Sequence, residues 1–93
     1  MPFRPYSFDG YSIFDDKGEV KRLVESILQN KDSDVFIESL RKIDFSYVFT
    51  LTKRGRSSEV DLERSEIEAS WDWRNGNIDS TLQRKIEDTI SEL

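Results

Sequence analysis

Cysteine and histidine are both missing from the 93 residues. Without cysteine the chain can form neither disulfides nor thiolate metal sites, and nothing in it marks the redox state of its compartment. Without histidine it also lacks zinc sites of the usual kind, His-activated nucleophiles, haem ligation by imidazole and the common proton shuttle near neutral pH. Glycine and proline are sparse, at four and two residues, with both prolines at the N-terminus as Pro2 and Pro5. No apolar run approaches the length of a membrane span. The first residues lack the basic-then-apolar pattern of a signal peptide, so the expectation is a soluble cytoplasmic protein.

Hydrophobic and charged residues each make up 35% of the chain, and aromatics make up 12%. That balance predicts one modest, aromatic-rich core, and a single α+β domain over residues 1–93. A core this thin makes a homodimer plausible, since association buries surface that folding alone leaves wet. The net charge of −5 is concentrated in the last third, where residues 59–93 hold ten acids and four bases. A net negative chain is a poor generic ligand for nucleic acid, whose phosphates reward clustered Lys and Arg.

The stretch from Asp44 to Arg74 organises the rest. Phe45, Tyr47, Phe49 and Leu51 alternate with Ser46, Val48, Thr50 and Thr52, the period of a strand with one apolar face. Gly55 follows in a basic turn with Lys53, Arg54 and Arg56, so a hairpin centred near Gly55 and Arg56 is expected. The return segment places Val60 and Leu62 inward at even positions, then Ile67, Ala69, Trp71 and Trp73 at odd ones. If it is one continuous strand, the parity change requires a bulge or bend near Arg64 and Ser65. A competing reading makes residues 58–69 a helix, because Ser58 and Asp61 fit a capping-box spacing. The far end of the long strand overshoots its hairpin partner, and Tyr11 to Phe14 is expected to pair with it as a short N-terminal strand, completing a three-stranded sheet.

Around the hairpin, residues 1–10 read as an extended aromatic arm. Asp16 and Glu19 open a helix whose Val20, Leu23, Val24, Ile27 and Leu28 trace a clear helical stripe. Ser33 or Asp34 is expected to cap a second helix burying Phe36, Ile37, Leu40 and Ile43, although Val35-Phe36-Ile37 also suits a strand. After an Asn75-Gly76-Asn77 turn, a C-terminal helix begins near Ser80, with Asp79 a competing cap and Leu82, Ile86 and Ile90 on its apolar stripe. The predicted fold is thus two helices, a twisted antiparallel hairpin and a C-terminal helix, with the short N-terminal strand joining the sheet.

Three clusters are candidates for function. Glu59, Asp61, Glu63, Glu66, Glu68 and Asp72 form an acidic ladder that fits a basic protein partner; charged residues also protect a strand from edge-to-edge aggregation, and a divalent-cation site would need the carboxylates to converge. Trp71 and Trp73 at period two would share a face, as core or as an interface anchor. Lys53, Arg54 and Arg56 could touch a phosphate backbone or simply keep a hairpin tip soluble. Asp9, Asp15, Glu19 and Lys21 offer the ingredients of a metal-dependent nuclease, but Glu19 and Lys21 begin a helix and point apart. The sequence therefore favours a protein-binding module without catalytic residues, metal or cofactor, such as a small acidic inhibitor, immunity-type or adaptor protein. A nucleic-acid accessory protein and a homodimeric structural subunit are the alternatives.

Overall fold

The computed structural model describes residues 12–93, which form an α+β domain of three helices and one three-stranded antiparallel sheet. A single 3₁₀ turn at Ile13–Asp15 leads into α1 (Lys17–Lys31); then come β1 (Phe36–Ile43), β2 (Ser46–Lys53), β3 (Arg56–Glu63), α2 (Arg64–Glu68), a second 3₁₀ turn at Trp73–Asn75 and α3 (Ser80–Ser91). The strands lie in the order β1-β2-β3, so each pairs with its neighbour in sequence.

The alternation in β2 acts as expected. Tyr47, Phe49 and Leu51 are fully buried, and the register sets Leu62 opposite Tyr47 and Val60 opposite Phe49. The apolar stripes of α1 and α3 cover this face, with Val20, Leu23, Val24, Leu82 and Ile86 all at zero exposure. Both helices are capped by the aspartates just ahead of them: Glu19 N–H donates to Asp16 Oδ1 at 3.2 Å and Leu82 N–H to Asp79 Oδ2 at 3.0 Å. Asp79, rather than Ser80, thus caps the C-terminal helix. The hairpin turn consists of Arg54 and Gly55, with φ of 52° and 82°. Positive φ at both central residues is the pattern of a type I′ turn, which favours glycine. Relative to the expectation the turn shifts by one residue, with Arg54 in place of Arg56 beside Gly55.

Three expected elements differ. The segment read as a second helix is β1, and Phe36 and Ile43, expected to be buried, are 58% and 44% exposed. Phe36 points outward by alternation with the inward Ile37, and a bulge between Ile37 and Ser39 turns Ile43 to the same outer face. The bulge adds one residue, so the inward side of β1 is carried by Ile37 and Leu40, three apart, which imitates helical spacing. Second, Tyr11 lies outside the described residues, and Ile13 and Phe14 are buried in the 3₁₀ turn rather than paired in a strand; β1 supplies the third strand instead. The aromatic arm of residues 1–10 likewise lies outside the described residues. Third, the return strand stops at Glu63 and passes directly into α2, where Arg64 N–H donates to Phe45 O at 2.8 Å. The parity change at Arg64 and Ser65 is therefore a switch from strand to helix period, with Ile67 fully buried on α2. The helical reading of residues 58–69 holds only for Arg64–Glu68.

Ser70 then ties α2 to the entry of α3. Its buried hydroxyl donates to Glu66 O at 2.9 Å and accepts Asp79 N–H at 3.0 Å. The face assignment of the sheet has a direct test. Leu62→Ala should destabilise the domain by about 2–5 kcal/mol through loss of buried volume. Ile43→Ala, at the exposed end of β1, should cost under about 1 kcal/mol in the same urea titration.

Candidate binding surface on the open sheet face

Residues directly opposite in an antiparallel pair share a face of the sheet. Since Tyr47, Phe49 and Leu51 point into the core, the other face carries Phe36, Ser39, Arg41 and Ile43 from β1, Ser46, Val48, Thr50 and Thr52 from β2, and Ser57, Glu59, Asp61 and Glu63 from β3. Ser39 Oγ donates to Thr50 Oγ1 at 2.9 Å across two strands, and Thr52 Oγ1 donates to Glu38 Oε1. These hydroxyls knit a polar centre between exposed ends.

The acidic ladder does not survive as one array. Glu59, Asp61 and Glu63 lie in line on the open face and are exposed. Alternate strand residues are roughly 6.6–6.8 Å apart, so the three carboxylates span roughly 13 Å. Across the sheet, Arg41 Nη2 reaches Glu59 Oε2 at 3.2 Å, with both side chains more than half exposed. An exposed pair of this kind stabilises by only a few tenths of a kcal/mol, to about 1 kcal/mol at most.

Glu66, Glu68 and Asp72 have structural work elsewhere. Glu66 is 9% exposed; its Oε1 accepts the N–H of Glu63 at 2.8 Å, the reach-back contact of a capping box, and it pairs with Lys85 Nζ at 2.9 Å. Lys85 also donates to Asp61 O at 3.1 Å and so clamps α3 to the outer edge of β3. Glu68 accepts from Ser12 Oγ and lies 3.9 Å from Arg64 Nε. Asp72 accepts the side-chain amides of Asn75 and Asn77 at 2.7 and 2.6 Å, fixing the turn that Gly76 completes at φ 88°.

Trp71 and Trp73 do not share a strand face, because the chain here is turn and 3₁₀ helix. Trp71 is 49% exposed, whereas Trp73 is half-buried against the core with the Arg74 guanidinium 4.4 Å from its ring centroid. Arg74 in turn forks onto Glu19, which also pairs with Arg22 at 3.2 Å, and the Arg74 hydrogen bond holds the Glu19 carboxyl below its ordinary range.

The basic tip is splayed by neighbouring acids. Lys53 Nζ meets Asp32 Oδ2 at 2.5 Å, Arg54 Nη2 meets Asp34 Oδ2 at 3.5 Å, and Arg56 Nη2 donates to Glu92 O at 3.5 Å. The hydrogen bond from Lys53 lowers the Asp32 pKa, helped by the Asp34 backbone N–H.

Of the possible catalytic set, Asp9 lies outside the described residues, Asp15 pairs with Lys42 at 3.2 Å and Glu19 is committed to arginines. Among the described residues no three Asp or Glu side chains come together as a metal site. No described helix is long and apolar enough to cross a membrane. Comparison with protein-family models, curated proteins and solved structures returns no match.

Arg41 belongs to this surface and the sequence did not single it out, because a helical reading of its segment sends it to an unrelated face. The signal available was the Val35-Phe36-Ile37 run, which suits a strand, followed closely by a strong strand. The Asp32–Lys53 pair generates a pH prediction. A carboxyl with a depressed folded-state pKa contributes stability above its unfolded value, and the contribution is lost as pH falls through the folded value. Asp32→Asn should therefore be less stable than the parent near neutrality. The gap should close on acidification below the ordinary carboxylate range, as read from chemical denaturation midpoints across that window.

Proposed function

We propose that the domain is a non-enzymatic protein-binding module that presents the open face of its sheet to a basic partner, in the manner of a small inhibitor, immunity-type or adaptor protein. The observation that carries this reading is the exposed line of Glu59, Asp61 and Glu63 on a sheet face that no described helix covers, with Arg41 its nearest counter-charge. Aligned carboxylates on one strand repel one another, and a basic surface relieves that repulsion. The half-buried Val48 and exposed Ile43 add apolar area to the same face. Charge would speed encounter, and burial of these aliphatic side chains would slow release. Glu66, Glu68 and Trp73 contribute by holding the surface in place rather than by contact, since each is engaged within the domain.

The nucleic-acid alternative draws less support from the same geometry. Lys53 and Arg54 already have carboxylate partners in Asp32 and Asp34, which weakens the field at the tip.

The test starts with capture of partners from native cell extract on the full-length protein, at low and at high salt, with identification by mass spectrometry. The expected product is a basic protein released by salt. Its association rate with Glu59→Lys/Asp61→Lys should fall by about tenfold or more at low ionic strength, with a smaller change in dissociation. Association unaffected by that double reversal would overturn the reading, and nuclease-sensitive material in place of a protein would shift it to the alternative.

A further inference from the structure

The two edges of the sheet are treated differently. The outer edge of β3 is occupied: Lys85 donates to Asp61 O, Ser58 Oγ donates to Glu92 Oε1 at 3.2 Å, and Arg56 reaches Glu92 O. The outer edge of β1 has no partner strand among the described residues. Such an edge offers a row of backbone N–H and C=O groups to any extended chain.

Alongside that edge the surface forms a groove against α1. A depression of about 420 Å³ has Lys17 and Lys21 on its helical wall and Ile37, Glu38, Ser39 and Leu40 on its strand wall, with the Glu38 carboxylate already accepting the Thr52 hydroxyl. A second, of about 190 Å³, shares Ile37 with the first and has Glu25 on its helical wall. Ile37 and Leu40 are partly buried against the core and give the groove an apolar floor. Lys17 and Lys21 are exposed, and neither forms an ion pair among the described residues. The neighbouring cations of β1 are used, Lys42 by Asp15 and, on the open face, Arg41 by Glu59.

A second copy of the chain fits this edge poorly. The bulge after Ile37 leaves Ser39 to Ile43 as the regular part of β1. Pairing two such segments about a two-fold axis through their centre sets Arg41 against Arg41, and directly opposed like charges are destabilising. A single flexible segment carries no such symmetry and can follow the bulge.

We propose that this groove takes an extended peptide from a partner protein, which adds along β1 as a fourth strand and sets an Asp or Glu side chain beside Lys17 and Lys21. Main-chain hydrogen bonds to the edge supply affinity, and alternate side chains on Ile37 and Leu40 supply selectivity. Lys17 and Lys21 fix the orientation, because Glu25 marks the opposite end of the groove and disfavours an acid there. The surface is separate from the open face of the sheet and stands without the reading given above.

Selection of random peptides of roughly twelve residues, displayed on phage against the full-length protein, tests the proposal without knowledge of the natural partner. The enriched sequences should alternate apolar and polar residues and carry Asp or Glu. A synthetic member should shift the backbone amide resonances of Lys17, Lys21 and residues 37–40, and N-methylation at alternate peptide nitrogens should abolish those shifts. Lys17→Glu/Lys21→Glu should bind it about tenfold more weakly or worse. That variant changes two exposed side chains, and an unaltered melting curve would show that its fold is intact. Absence of any enrichment, equal binding by the charge-reversed variant, or shifts confined to the open face of the sheet would each overturn the proposal. So would a full-length protein that sediments as a dimer with the β1 amides protected.

Discussion

The buried cluster of the domain is built on Tyr47, Phe49 and Leu51 of β2. These three have no exposed surface and lie on the central strand, and α1, α3 and the two flanking strands contribute side chains to the same hydrophobic cluster. A slip of one residue would turn that set to solvent, which makes the register the most strongly specified property of the fold. Phe14 is fastened to it as well: its ring packs edge-on against Tyr47 at 4.9 Å between centroids, and its carbonyl accepts the Tyr47 hydroxyl. That phenol is a buried donor with a partner, and burial raises its pKa, so it remains protonated. Commitment of one face to the core is also what leaves the other face free to carry Glu59, Asp61 and Glu63.

How much of this could be read from the sequence depended on how cleanly one periodicity held. Helix α1, strand β2 and helix α3 each keep a single period from end to end, and their stripes lie where the pattern put them. The misread segments are those in which the period is interrupted. In β1 the bulge converts an alternating strand into a spacing of three, and Phe36 and Ile43 then look like the flanks of an apolar helical stripe although both face water. Past Leu62 the alternation is replaced by the single turn of α2, and a reading that insists on one strand must invoke a bend where the chain instead changes element.

The candidate surfaces were legible to the same degree. The upper half of the acidic ladder was assigned to a strand face and lies on one; the lower half was assigned to the same strand and is instead spent on a helix cap, a Lys85 pair and a turn. Residue type alone cannot distinguish a carboxylate that faces a partner from one that satisfies a neighbouring backbone N–H. Only placement decides it. The two tryptophans carry the same lesson, since period two implies a shared face only while the chain remains extended. The resulting charge distribution is lopsided in space as well as in sequence, with exposed carboxylates along β3 and, where α1 approaches the opposite edge, lysines that form no ion pair among the described residues.

The succession of strands as sequence neighbours, joined by the two-residue turns Asp44-Phe45 and Arg54-Gly55, has a kinetic consequence. Closing such short loops removes little chain entropy, and hairpins of this kind assemble in about 1–10 μs. The docking of α1 onto α3 joins segments about fifty residues apart, so the helices rather than the strands are expected to set the folding rate. Until they dock, the aromatic side of β2 stands open to solvent, and that interval is when the chain is most exposed to association with its own copies.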